Sequence, residues 1–344
     1  MNSNFVDKRN IRIAISSYCN FDCSYCGGHK GYTKDKKGSM EDYRHDTIDG
    51  YFLKTDEIKS LLKYFYEAGF RGVTLTGGEP LVNKDWYRII QYAKQIGYER
   101  REITTNAALL KKYLQNNGFP NDLTLVKVSF DTIDRNAFNF ITKSNSFDSV
   151  VESIKMISGK IKTRANRVVL RSQLQDLNEY IDFCKNIGFK SINLLDLVYY
   201  PNRRNSEEKK YFEKEFVSAT EIKDFLELNF NYKFKRGKYG YSSLNSNEIE
   251  IIIKESRFTL RDEQCFDCPI YCQEGKFTVR IATDGNITMC PDCYCELTSL
   301  SGQEILSGVR GVEEIRKLFN SLIEAEEFDT FDTFILKHSV NLER

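Results

Sequence analysis

Histidine is scarce in this sequence, with three in 344 residues (His29, His45 and His338). A His-rich zinc or non-haem iron centre is therefore not expected. Charge of one sign is missing as well: 50 Lys and Arg stand against 49 Asp and Glu. That balance gives no general attraction to nucleic acid or to a membrane surface, so neither is expected as a partner. No apolar run reaches the roughly 18 residues that a membrane-spanning helix needs. Met1 to Asn10 lacks the apolar stretch of a secretory signal. A cytoplasmic chain is the expectation. Internal repeats and low-complexity tracts are also absent. What is abundant is apolar and aromatic material: 41% hydrophobic residues, with 24 Phe and 20 Tyr. That suffices for one large core or two ordinary ones.

Ten cysteines are distributed unevenly. Three lie between Cys19 and Cys26, six between Cys265 and Cys295, and Cys184 stands alone. In a reducing compartment such clusters read as metal ligands rather than disulfides. Cys184, within Ile181-Asp182-Phe183-Cys184-Lys185, reads as a buried helix thiol.

Strand and helix patterns alternate from about Asn10 to Leu197. Strands are expected at Ile11–Ser16, Val73–Thr76, Glu102–Thr105, Leu123–Phe130, Arg167–Arg171 and Ser191–Leu197. Helices are expected at Thr55–Ala68, Lys84–Ile96, Ala108–Asn117, Arg135–Ile141, Phe147–Ile157 and Leu177–Ile187, four of them closed by Gly69, Gly97, Gly118 and Gly188. This is an α/β fold with a parallel sheet. Ile11, Ile13 and Ile15 alternate with Arg12, Ala14 and Ser16, and Val126, Val128 and Phe130 with Lys127, Ser129 and Asp131. A doubly wound sheet buries both faces and would be apolar on both, so one polar face argues for a sheet curled around a working cavity. Three segments are expected: residues 10–197 as a partial barrel, 198–260 as a charged connection with surface helices, and 261–344 as a small cysteine-rich hairpin domain with a C-terminal helix. The hairpin is signalled by Thr283-Asp284-Gly285 between Phe277–Ala282 and Asn286–Met289.

The segment Cys19-Asn20-Phe21-Asp22-Cys23-Ser24-Tyr25-Cys26 follows the first strand directly. Three thiolates at this spacing wrap an iron–sulfur cubane from one loop and leave one iron open to another ligand. A zinc knuckle completed by His29 is the alternative. Thr76-Gly77-Gly78-Glu79-Pro80 follows the second strand and so lies on the same rim, where ligands bind in α/β folds. The glycines permit close backbone approach, and Glu79 suits a cationic amine.

With these two motifs the chain resembles the radical S-adenosylmethionine (SAM) superfamily. Within it the chain resembles the MoaA-like GTP cyclases that begin molybdenum-cofactor synthesis. The resemblance implies a partial (β/α)6 barrel in which Cys19, Cys23 and Cys26 hold a [4Fe–4S] cluster. Reductive cleavage of SAM there yields methionine and a 5′-deoxyadenosyl radical that abstracts hydrogen from substrate. It places Tyr25 beside the adenine and Gly77, Gly78 and Glu79 at the methionine amine. Thr105-Asn106 and Ser129-Phe130-Asp131 are similar to the family's Thr-Thr-Asn-Gly and Ser-Leu-Asp segments, which adds Thr105, Asn106, Ser129 and Asp131 to the SAM site. A reductase, flavodoxin or ferredoxin is implied as electron donor.

The resemblance also implies a second, auxiliary [4Fe–4S] cluster of SPASM or twitch type. Its ligands would be Cys265, Cys268, Cys272 and Cys290, with Cys293 or Cys295 able to replace one. A structural zinc site on Cys265-x2-Cys268 and Cys290-x2-Cys293 is the alternative. Arg12, Lys127, Arg171 and Arg280 are the candidate substrate residues. A buried guanidinium demands an anion, and Arg12 and Arg280 match two arginines with which the family grips GTP. Thr74 and Thr278 stand where the family has two more, and the chain ends Leu342-Glu343-Arg344 where the family ends Gly-Gly. These departures favour a small anionic, nucleotide-like substrate other than GTP, with GTP cyclisation and peptide maturation as alternatives. Peptide maturases add a winged domain ahead of the barrel, and only about ten residues precede the first strand here. A non-catalytic zinc module is the remaining alternative.

Overall fold

A computed structural model describes residues 10–23, 52–197, 206–237, 240–245, 249–254, 258–261, 278–289, 300–324 and 326–329. Tyr25, Cys26, Cys265, Cys268, Cys272, Cys290, Cys293 and Cys295 lie outside these residues.

Alternating side chains make the first strand, β1 (Asn10–Ala14), which buries Ile11 and Ile13 completely. Helix α1 (Thr55–Glu67) follows, burying Ile58, Leu61, Leu62 and Phe65 at helical spacing. The carboxylate of Glu57 accepts the Lys54 N–H at 2.7 Å and starts the helix. Gly69 (φ +112°) ends it, in a conformation that costs other residues energy. The alternation continues through β2 (Gly72–Thr76), α2 (Trp86–Ile96), β3 (Arg100–Thr105), α3 (Leu110–Asn117) and β4 (Leu125–Ser129). Two helices, α4 (Arg135–Thr142) and α5 (Phe147–Ile157), precede β5 (Thr163–Val168). The series closes with α6 (Leu177–Ile187) and β6 (Ser191–Leu195).

β1 to β6 lie side by side, each parallel to the next. Helices α7 (Ser206–Glu215) and α8 (Ala219–Phe230) come next, then β7 (Lys235–Gly237), β8 (Gly240–Asn245) and β9 (Ile249–Lys254). Sequence patterning leads one to expect only surface helices in this stretch. Instead β9 joins β6 in parallel, and β8 and β7 continue antiparallel. Ile249, Ile251 and Ile253 supply the reason: they alternate, and all three are buried. β10 (Phe258–Arg261) pairs with β13 (Glu326–Asp329) in a separate ribbon. The hairpin β11 (Val279–Ile281) and β12 (Ile287–Thr288) turns at Gly285 (φ +89°). β11 pairs parallel with β1, so the hairpin extends the main sheet. Short α9 (Gly302–Leu306) and α10 (Val312–Glu324) pack against α1.

The resulting eleven-stranded sheet runs from β12 to β7 and stays open among the described residues. Its helix-covered face holds the apolar core. Each large side chain buried there contributes about 1.5–3 kcal/mol. The opposite face is polar yet shielded: Thr74 is fully buried, and Glu102 is 9% exposed. A flat sheet would leave such residues in water, so their burial is what a curled sheet produces. Among the described residues no helix is long and apolar enough to cross a membrane.

Candidate active site

The loop after β1 and the loop after β2 interlock. Gly78 N–H donates to Ser16 O and Glu79 N–H to Tyr18 O, both at 2.8 Å. A Cβ on Gly77 (φ +142°) would stand 2.4 Å from Ser16 O, and one on Gly78 would stand 2.3 Å from Tyr18 O. The two glycines are thus needed first for the close approach of the cysteine loop, before any ligand arrives. The loop is also pinned to α4. Asp22 N–H reaches Thr142 O at 3.1 Å, Lys143 pairs with Asp22 at 2.8 Å, and Phe21 meets Phe138 edge-on at 5.9 Å. Gly78→Ala is expected to leave the helix content intact but to displace Tyr18 and Cys19. Iron retained after anaerobic reconstitution, beside an unchanged circular dichroism spectrum, is the measurement.

Glu79 caps the 3₁₀ turn Pro80–Val82 by accepting the Leu81 N–H at 3.0 Å. It also accepts the Thr105 hydroxyl at 2.5 Å and the Asn106 N–H at 2.8 Å. The carboxylate is 1% exposed, and among the described residues its hydrogen-bond partners are all neutral donors. Burial pushes its pKa up to about 7, against the pull of those three donors. A buried carboxylate with no cation beside it among the described residues suits a ligand that brings one.

Cys19, Cys23, Thr76, Gly77, Gly78, Glu79, Thr105, Asn106, Ser129 and Asp131 line one cleft of ≈ 780 Å³, part of it open to solvent. The described candidates for cluster and SAM are therefore brought together. Asp131 also accepts the Val168 N–H at 3.0 Å, which ties the ends of β4 and β5. The donor set suits an iron–sulfur cluster. Two of the three thiols face the cleft, and Cys19 Sγ accepts N–H bonds from Phe21 (3.4 Å) and from the Asn106 side chain (3.8 Å). No group of three or more His, Cys, Asp or Glu side chains gathers as an alternative metal site among the described residues. Cys184 is buried on α6, and burial pushes its thiol up to about 12, as an inert core thiol requires.

Two residues below this rim, the polar face carries a band of charge. Arg12 and Arg280 occupy paired positions of β1 and β11. Lys127 pairs with Glu102 at 2.5 Å, and Glu102 accepts the Thr74 hydroxyl at 3.1 Å. Arg164 donates to Ser191 at 3.0 Å. Lys127 is lowered to about 8: burial is the main cause and Arg12 and Arg164 add to it, while Glu102 opposes them. Burial raises Glu102, but Lys127, Arg100 and Thr74 outweigh it and hold the carboxyl below its ordinary range. Burial also lowers Arg12 and Arg164, and Glu102 opposes it in both.

Arg171 is placed elsewhere. β5 ends at Val168, and Arg171 opens a 3₁₀ turn, from which it donates to Phe216 O at 2.8 Å and pairs with Glu221 at 3.1 Å. It ties the α7–α8 junction and does not join Arg12 and Lys127. Arg167 sits on the helix-covered face, over the Tyr180 ring and paired with Asp176 at 2.5 Å. Sequence reading missed Glu102 and Arg164. Arg164 alternates with buried Thr163 and Ala165, but the fifth strand is expected to start at Arg167, four residues late, which hides it.

A model of the radical SAM superfamily matches residues 13–184, half of the chain. Two curated relatives are each named probable GTP 3′,8-cyclase. The protein of Saccharolobus solfataricus is 28% identical over 87% of this chain and 87% of its own length. That of Sulfurisphaera tokodaii is 26% identical over 91% and 90%. Among solved structures, Streptococcus suis SuiB bound to the precursor peptide SuiA superposes with a TM-score of 0.56 and 15% identity, over 86% of this chain and 62% of SuiB. Native anSMEcpe with bound AdoMet and the Cp18Cys peptide gives 0.51 and 16%, over 87% and 79%. These two likenesses establish the arrangement of strands and helices. The sequence match over the strands that carry both rim motifs establishes more: this chain is an enzyme of the radical SAM superfamily.

Proposed function

We propose that this enzyme cleaves SAM reductively and uses the radical to take hydrogen from a small anionic, nucleotide-like substrate. Cys19, Cys23 and Cys26 hold the [4Fe–4S] cluster in this reading. When bound, that cluster supplies the electron that breaks the sulfonium S–C5′ bond of SAM, giving methionine and a 5′-deoxyadenosyl radical. The observation that carries the proposal is the buried carboxylate of Glu79, which among the described residues meets only neutral donors at the wall of the cysteine cleft. It receives the SAM ammonium. Gly77, Gly78, Thr105, Asn106, Ser129 and Asp131 shape the surrounding wall, and Tyr25 lies by the adenine.

The charge band supports an anionic substrate. Among the described residues Arg12, Lys127, Arg164 and Arg280 share the polar face with the carboxylates of Glu102 and Glu250, so the described cations outnumber the described carboxylates there. The relatives' names favour a purine nucleotide. Thr74 argues against GTP itself, since it takes a position where the cyclase family has an arginine and spends its hydroxyl on Glu102. Cys265, Cys268, Cys272 and Cys290, with Cys293 in reserve, hold an auxiliary [4Fe–4S] cluster, and a flavodoxin, ferredoxin or reductase delivers the electrons.

Anaerobic reconstitution tests this. About four iron atoms per chain are expected for one cluster and about eight for two. SAM with dithionite should then release 5′-deoxyadenosine, and Cys19→Ala should release none. Protein that purifies with zinc alone and makes no 5′-deoxyadenosine would sink the proposal. Deuterium transfer from labelled GTP into 5′-deoxyadenosine would restore GTP as substrate.

A further inference from the structure

We infer that Asn106 is a positioning residue for the thiolate of Cys19. Its side-chain amide donates to that sulfur and raises the potential at which a cluster held there accepts an electron. The inference rests on the cluster being held as proposed above.

Asn106 follows β3 directly and is 8% exposed. Its Oδ1 accepts the Ala108 N–H at 3.0 Å, which fixes the rotation of the amide. The Nδ2 group is thereby turned toward the cysteine loop, 2.8 Å from Asn20 Oδ1 and 3.8 Å from Cys19 Sγ. Its backbone N–H meanwhile donates to Glu79 at 2.8 Å. One residue therefore touches the carboxylate assigned to SAM through its main chain and the thiolate through its side chain. An N–H···S bond draws electron density from sulfur. The reduced cluster carries the greater negative charge, so the bond favours it and the potential rises. Asn106 was assigned from sequence as a SAM contact alone, and only the third dimension shows its reach to Cys19.

Asn106→Ser separates this role from a simple turn. A serine hydroxyl still accepts the Ala108 N–H but is too short to reach Cys19. Asn20→Ala removes the other partner of the amide and leaves the N–H···S bond. The experiment is a potentiometric titration of the reconstituted enzyme followed by electron paramagnetic resonance, with iron content measured beside it. Asn106→Ser should hold full iron and titrate at lower potential than wild type, while Asn20→Ala stays near wild type. Equal potentials for Asn106→Ser and wild type would overturn the inference. So would an equal shift in Asn20→Ala, or a folded Asn106→Ser protein that holds no iron, since the amide would then be holding the loop. Wild type gives a second readout: side-chain ¹⁵N-labelled asparagine should show a weak nitrogen coupling to the reduced cluster in pulsed resonance, and its absence also overturns the inference. Wild type that takes up no iron would instead refute the underlying reading.

Discussion

Glu79→Gln is expected to weaken SAM binding by about 100-fold or more and to remove its pH dependence. Losing one partner of a desolvated ion pair costs about 2–5 kcal/mol. Without a ligand, burial raises Glu79 to about 7. In the proposed site the SAM ammonium would stabilise the ionised form, so below about pH 7 binding would first have to expel a proton. Affinity of the wild type should then fall about tenfold per pH unit below that point and level off above it. Calorimetry in buffers of different ionisation enthalpy should register proton release near pH 6 for wild type and none for the variant.

Stability of the ligand-free protein carries the same signature. The folded pKa lies above the ordinary glutamate value, so the folded state holds this proton more tightly. The resulting stabilisation is fully present below about pH 4.5 and is lost as pH rises through about 7. Relative to Glu79→Gln, wild type should lose about 3 kcal/mol between pH 4 and pH 8. Urea denaturation of both proteins measures this, and a constant difference would show that Glu79 titrates as an exposed carboxyl.

Glu102→Leu should be among the most destabilising single changes in the sheet. The Glu102 and Lys127 side chains are each 12% exposed and lie 2.5 Å apart. Removing the carboxylate leaves the Lys127 ammonium buried beside the Arg12 and Arg164 charges that already depress it. Breaking a buried pair in this way costs about 3–5 kcal/mol, about 10 °C in melting temperature. Lys127→Leu added to Glu102→Leu should recover much of that loss, because the uncompensated cation is gone. Thermal melts of the wild type, both single variants and the double variant close the cycle. Additive losses would mean that the two groups act independently.

Local chemistry explains which features were legible in the sequence. Leu177–Ile187 and Phe147–Ile157 are found at the expected bounds, because apolar spacing and, in the first, a terminal Gly188 agree. Both rim motifs could be placed because each follows a strand. Arg171 is misplaced by the sequence because Arg167–Arg171 reads as a strand, whereas β5 ends at Val168 and Arg171 opens the 3₁₀ turn that follows. Nothing local announces that Ile249–Lys254 lies beside β6, or that the C-terminal hairpin lies beside β1. Both are decisions of the assembled sheet. The double duty of Asn106 and the counter-charge of Glu102 depend on neighbours dozens of residues away.

The parallel pairing of β11 with β1 has a consequence for how the molecule is made. Ile11 and Ile13 align with Val279 and Ile281, so the first strand waits for residue 281 to emerge before its outer edge is closed. β2 can dock early on the other side, but until synthesis passes residue 281 the strand leading into the cysteine loop offers unpaired backbone groups to any neighbour. Contacts this distant in sequence form slowly. Chains truncated before residue 281 are therefore the aggregation-prone species.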